Sequence, residues 1–347
     1  MTSKLFLLVL FALSSARLSR SQELSEWTDS YVNALAPSKH FSGIIVVQRD
    51  GKVLIEKSYG AAVEEWRIPN SSDTKFEIAS LSKQFTAAAV LQLIDAGKLG
   101  VEDSVSKYYV ASPPSWGAIT IHHLLTHTSG LPEDEWENFF KGQCAPYTTA
   151  DQVKTFRDRP LGFPPGSAWK YRNTEYYLLA YIIEKISGET YSAYLAHHIL
   201  EPLGMTHSGF ATMNAIVPKM AEGYSRDGSS LIRREYFDRS METGAGGIYT
   251  TGADLLQWNK ALDAPGILSA RSLELMFTPH PPGNYGYGWF VETSPRRMEY
   301  HEGGDPGFAA FEARYPDQHL VIIVLANEDD SPVRDIANAI AQHLFGD

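Results

Sequence analysis

The chain carries its strand-forming segments at its two ends and a long helical stretch between them. That ordering restricts the fold more than any other feature. Near the N-terminus, Phe41–Val47 and Val53–Tyr59 are apolar runs joined through Asp50-Gly51, a strong signal for a tight hairpin. Three further strand-like runs come late: Arg297–His301, Phe308–Tyr315 and Leu320–Ala326. From about Ser80 to Trp258 the apolar spacing is mostly helical, with long loops, and further helices are expected near Glu23–Leu35 and Pro332–Phe345. A sheet drawn from both termini must hold the helical segment as an insert. The expectation is an α/β chain of the α+β type, with an antiparallel five-stranded sheet, flanking terminal helices and a large helical lobe. The sheet lobe would take about residues 22–70 and 285–347, and the helical lobe about 75–284. At 347 residues the chain exceeds one typical core, which agrees with two packed lobes.

Within the helical stretch one segment carries chemistry. Ser-x-x-Lys occurs four times, at Ser72/Lys75, Ser80/Lys83, Ser104/Lys107 and Ser167/Lys170. Ser72 lies in a polar loop, Ser104 in a charged connector, and Ser167 follows Pro164-Pro165-Gly166. Ser80 alone opens a sustained helix, Leu81–Ala96, whose bulk is kept low by Ala87-Ala88-Ala89 and which Gly97 closes. Three residues apart on a helix share a face, so the Lys83 amine reaches the Ser80 hydroxyl. The electropositive helix start favours negative charge developing there. A serine hydroxyl becomes a competent nucleophile only when a neighbouring base takes its proton. An isolated Ser-x-x-Lys is more often a helix cap with a solvent-facing lysine.

Two later motifs add to it. Tyr171-Arg172-Asn173 follows a Pro/Gly-rich loop, where residues two apart point to one side, so both polar groups can face one pocket. Tyr31-Val32-Asn33 repeats the pattern inside a helix, where they diverge. His301-Glu302-Gly303 ends the strand-like run Arg297–Tyr300 and leads through Gly304 toward the next strand. Glycines there let a substrate backbone come close. His207-Ser208-Gly209 repeats His-x-Gly between helical segments.

These residues resemble the serine β-lactamase and penicillin-binding-protein superfamily, specifically its class C β-lactamase-like branch. The similarity covers nearly all the mature chain. It includes Phe76–Thr86, Leu124–Pro132, Tyr171–Thr174, Gly244–Tyr249 with Asp254, Tyr287-Gly288-Trp289, and His301–Gly304. The resemblance implies a β-lactamase/transpeptidase-like fold and hydrolysis through an acyl-enzyme on Ser80, with Lys83 and Tyr171 sharing its proton. Asn173 would bind Lys83 and the substrate amide. The backbone N–H groups of Ser80 and Gly304 would form the oxyanion hole, and Glu302, Gly303 and Gly304 would line the substrate. The sequence leaves open which of Lys83 and Tyr171 is the first base.

One departure bears on the substrate. Class C β-lactamases usually resemble Lys-Thr-Gly where this chain has His301-Glu302-Gly303, which is more like D-Ala-D-Ala carboxypeptidases and D-aminopeptidases. A fixed charge becomes a group that titrates near neutral pH, with Glu302 expected to raise its pKa. The reading is a D-Ala-directed or D-amino-acid peptidase, or a β-lactamase-like activity. Its alternatives are a carboxylesterase of the same family and a non-catalytic penicillin-recognising sensor.

Other signals bound this reading. Lys4 followed by Leu5–Leu13 and the small residues Ser14-Ser15-Ala16 reads as a cleavable secretory signal within residues 1–21, which makes the product secreted or periplasmic. The apolar run is too short to leave a membrane span. The net charge is −11 and no basic run interleaves with aromatics, so the expected partner is a small-molecule or peptide substrate and not nucleic acid. His122, His123 and His127 include one i,i+4 pair, His123 and His127, with metal-ligand spacing but without the glutamate of a zinc-peptidase motif, so neither a metal nor another cofactor is expected. Cys144, the only cysteine, lies in a loop-like segment and is read as non-catalytic. Tyr285, Tyr287 and Trp289 are read as either rim or core, and Asn70-Ser71-Ser72 is a glycosylation sequon.

Overall fold

The computed structural model describes residues 21–35, 40–133, 146–210, 212, 215–228, 230–235 and 238–346. Residues 1–20 of the expected signal segment 1–21, and Cys144, lie outside the described residues. A central sheet is built from β1 (Gly43–Arg49), β2 (Lys52–Tyr59), β3 (Phe290–Glu292), β4 (Met298–Asp305), β5 (Phe308–Tyr315) and β6 (Leu320–Ala326). Its spatial order is β3-β4-β5-β6-β1-β2, antiparallel throughout. The N-terminal hairpin is thus joined to the C-terminal strand, with Gly43 opposite Ala326 and Arg49 opposite Leu320. The sheet has six strands where five were expected, because the three-residue β3 is too short to give a periodic signal. Asp50 and Gly51 both take positive φ, +51° and +70°, as a tight hairpin turn requires.

Both faces of the sheet are covered, so its strands read as continuous apolar runs. Alternation assigns the sides. Ile44, Val46, Ile323 and Leu325 pack toward the helical body, in one cluster with Phe85, Leu91 and Ile182. Ile45, Val47, Ile322 and Val324 pack against helix 21–33 and helix Val333–Phe345 through Leu24, Ile336 and Ile340. Each fully buried side chain of this kind contributes about 1.5–3 kcal/mol. The sheet therefore anchors everything mounted on its inner face.

The segment that carries Ser80 is mounted there. A short 3-10 turn, Ala79–Leu81, runs directly into the helix Ser82–Asp95, which ends before Gly97 at φ +67°. The helix is buried on nearly all sides and packs against the helix Thr174–Ser187. Among the described residues, no helix is long and apolar enough to cross a membrane.

Candidate active site

Ser80 sits on the 3-10 turn, partly exposed, where the helical body meets β4. The residue before it, Ala79, has φ +45°, an uncommon conformation for a side chain with a Cβ and one that costs of order 1–3 kcal/mol. No sequence signal marks it. Lys83 follows one helical turn later and is completely buried. Its Nζ donates to Ser80 Oγ at 2.9 Å, to Asn173 Oδ1 at 2.8 Å and to the Ala245 carbonyl at 3.1 Å. The Gly244–Gly247 segment noted in the sequence thus supplies a carbonyl to this amine. Asn173 heads the helix Thr174–Ser187 and is partly exposed.

Tyr171 shows part of its ring to the cleft while its hydroxyl oxygen is buried. Lys83 Nζ lies 4.8 Å from the ring centroid. The hydroxyl is close enough to Ser80 for the serine to lower its pKa, although it forms no well-shaped hydrogen bond there. Burial outweighs that effect and pushes the phenol well above its ordinary value, with the charges of Glu302 and Asp305 adding in the same direction. The structure therefore brings Ser80, Lys83, Tyr171 and Asn173 into one polar group.

His301 departs from expectation in two ways. It lies inside β4, not at a strand end, because the strand continues to Asp305. It is also buried and not a charged group near neutrality: burial, reinforced by the charge of Lys83, pulls its pKa down to about 3. Its Nδ1 donates to the Glu302 carbonyl at 2.7 Å, and its Nε2 accepts from the Tyr285 hydroxyl at 2.8 Å. The expected rise caused by Glu302 is absent because the Glu302 side chain turns to the opposite face of the strand. There it meets Arg334 at 3.6 Å. Its carboxylate is not a lining group of the cleft, contrary to the sequence expectation.

The two glycines of β4 divide their work. A Cβ on Gly303 would lie 2.3 Å from the Ile78 carbonyl oxygen and 3.1 Å from Ser80 N. Its bareness permits the close contact between β4 and the Ser80 turn. A Cβ on Gly304 would meet nothing within 4 Å, so open space lies beside it. Strand β3 pairs only with Met298, Glu299 and Tyr300, so the outer edge of β4 from His301 to Asp305 has no strand partner among the described residues.

Behind Tyr171 lies a buried pair that sequence reasoning missed, although His127 falls in a segment quoted for the resemblance. His127 Nδ1 accepts from the Arg172 N–H at 3.3 Å and also meets Glu175 Oε2. Ser129 Oγ donates to the other Glu175 oxygen at 2.7 Å. Burial pushes the Glu175 carboxyl well up and the His127 imidazole well down, so the pair is neutral and the carboxyl O–H donates to Nδ1. The His127 ring packs 4.4 Å from that of Tyr171. His122 bonds the Tyr287 hydroxyl at 2.8 Å. Tyr285, Tyr287 and Trp289 are all core residues, as their burial shows.

The decoy motifs have ordinary local roles. Ser104 accepts from the Ser106 N–H, and Ser167 Oγ donates to the Pro164 carbonyl. Tyr31 stacks on Trp27 within the first helix. The sequon asparagine Asn70 is buried, with its Nδ2 donating to the Tyr59 carbonyl at 2.8 Å and Ser42 Oγ at 3.1 Å.

A mixed α/β body holds Ser80 at the head of a buried helix, and comparison with known proteins defines its class. A profile of the Beta-lactamase family matches residues 28–346, and the chain belongs to that family. It is 34% identical over 305 residues to putative penicillin-binding protein PbpX of Bacillus subtilis, covering 88% of this chain and 75% of that protein. It is 32% identical over 339 residues to penicillin-binding protein 4* of the same organism, covering 90% and 74%. The crystal structure of a penicillin binding protein from Bacillus halodurans superposes with a TM-score of 0.80 at 30% identity, covering 87% of this chain and 96% of that one. The chain is a serine hydrolase of the β-lactamase and penicillin-binding-protein family.

Proposed function

We propose that the protein hydrolyses amide or ester bonds through an acyl-enzyme on Ser80. The observation that carries this reading is the buried Lys83 amine, 2.9 Å from Ser80 Oγ and 2.8 Å from Asn173 Oδ1. Ser80 Oγ bonds to the substrate carbonyl carbon, and its proton passes into the Lys83–Tyr171 pair. The bond to the leaving group then breaks as the departing atom receives that proton. Water repeats the sequence in reverse and frees the acid. Burial makes a resting Tyr171 phenolate costly; the first acceptor in this reading is therefore Lys83 in its neutral amine form, with the Ser80 O–H then donating to Nζ, and Tyr171 is the relay to the leaving group. The N–H groups of Ser80 and Gly304 serve as the oxyanion hole in this account. Asn173 holds Lys83 and the substrate amide. His301 acts as an uncharged support of the wall beside Tyr171.

Two relatives bear names that refer to penicillin binding, which supports acylation by a strained or activated carbonyl as shared chemistry. The peptidase and ester readings both use this core. Export through the N-terminal segment fits a substrate outside the cytoplasm. A serine-reactive fluorophosphonate tests the reading. Labelling should map to Ser80 and vanish in Ser80→Ala, whereas an adduct on Ser72, Ser104 or Ser167 would refute it.

A further inference from the structure

Given the acyl-enzyme reading, the surroundings of Tyr171 specify the kind of leaving group. The phenol stands between Ser80 and a wall of rings, with centroids of Phe290 at 6.2 Å, Tyr285 at 6.2 Å and His301 at 6.0 Å. Phe290 is the partly exposed member. It lies on β3 opposite Tyr300, at the point where pairing with β4 stops and the open edge begins. A group that takes its proton from Tyr171 as it departs rests against this wall.

Among the described residues, the side chains of this wall offer no hold for an anion. The Glu302 carbonyl can only accept, so His301 Nδ1 carries the proton, and Nε2 is the acceptor of the Tyr285 hydroxyl. Both nitrogens of the neutral ring are engaged. Arg334, on the outer face of β4, meets Glu302 at 3.6 Å and lies 4.9 Å over the Tyr300 ring. Lys83 donates to Ser80, Asn173 and the Ala245 carbonyl. Asp305, and Glu302 from the opposite face of the strand, meanwhile bring negative potential to the Tyr171 phenol.

We propose that the site selects substrates whose leaving group is uncharged and aromatic or apolar, and that it discriminates against leaving groups bearing a free carboxylate, the terminal carboxylate of a peptide included. The bonds made and broken are those already described: Oγ–C forms, C–O or C–N breaks, and the Ser80 proton ends on the departing atom. A carboxylate on that departing group is stripped of water against rings and beside like charge, and both effects disfavour it.

A matched pair of substrates tests this. The butyrate esters of methyl 4-hydroxybenzoate and of 4-hydroxybenzoate differ only in whether the carboxyl on the leaving group is capped. After division by their alkaline hydrolysis rates, kcat/KM should favour the methyl ester by at least about tenfold. Phe290→Arg, at a partly exposed edge position, should shrink that ratio severalfold. Phe290→Leu, the milder change, should lower the preference for aryl over propyl leaving groups. A ratio near one, or one favouring the carboxylate, with Ser80 still labelled by phosphonate, overturns this inference and leaves the acyl-enzyme reading standing. So does failure to hydrolyse either ester while Ser80 is labelled. An unchanged ratio in Phe290→Arg overturns the assignment to this wall. Absence of any Ser80 adduct overturns both.

Discussion

Lys83 is buried beneath Ser80 and held by three hydrogen bonds, so its position is fixed before any substrate arrives. Such pre-set geometry is what makes a weak nucleophile useful, because no reorganisation is needed at the moment of attack. Lys83→Met and Tyr171→Phe should each lower kcat by about 100-fold or more. They interrupt one proton path, so the double variant should lose little beyond the worse single variant. Steady-state kinetics of all four proteins checks this, and a double loss equal to the product of the single losses contradicts a shared path. Much of this residue-scale picture was legible in the sequence. The three-residue spacing put Lys83 on the Ser80 face, and the extended setting of Tyr171-Arg172-Asn173 turned both polar groups to one side. The charge state of His301 was not legible, because it depends on burial created by residues far along the chain, among them Tyr285 and Lys83. The same holds for His127 and Glu175, which meet across 48 positions, and for the unusual φ of Ala79.

At the scale of elements, β4 and the turn that carries Ser80 are in close contact through Gly303. Gly303 is pressed onto Ile78 and Ser80 N, whereas Gly304 borders open space. Gly303→Ala must push the turn away, with an expected destabilisation of about 1–3 kcal/mol and a loss in Ser80 labelling rate of about 100-fold. Gly304→Ala should keep its stability within about 0.5 kcal/mol of the parent. Thermal denaturation and labelling rates of the two variants separate these effects. Equal damage from both would contradict the division of labour between the glycines. The sequence marked this pair for a close approach to substrate but not for the contact with Ile78, since it gives no view of what lies across from a strand. The buried face of β4 had to be seen against Ile78.

Across the whole molecule, the sheet joins the two chain ends and holds the helical body by its inner face. That plan was readable because strand-like and helical periodicities occupy separate stretches of the chain. The short strand β3 was not, because three residues show no periodicity. Polar groups inside this assembly make its stability depend on pH. Glu312, on β5, is fully buried and accepts from Gln84 Nε2 at 3.0 Å and from Asn259 Nδ2. Burial raises its pKa to about 7. A carboxyl raised above its unfolded value contributes stability that is complete below the unfolded pKa and is lost as pH rises through the folded one. The melting temperature of Glu312→Gln relative to the parent should therefore be higher at about pH 8 than at about pH 5, and a difference independent of pH would contradict the assignment. The central claim is chemical, and one measurement addresses it most directly: acid-quenched intact mass after brief exposure to a slow aryl ester, followed by peptide mapping. The account predicts a mass increase equal to the acyl group, located on Ser80, decaying with time and absent from Ser80→Ala. Ester turnover in Ser80→Ala, or an acyl group mapped elsewhere, would contradict it.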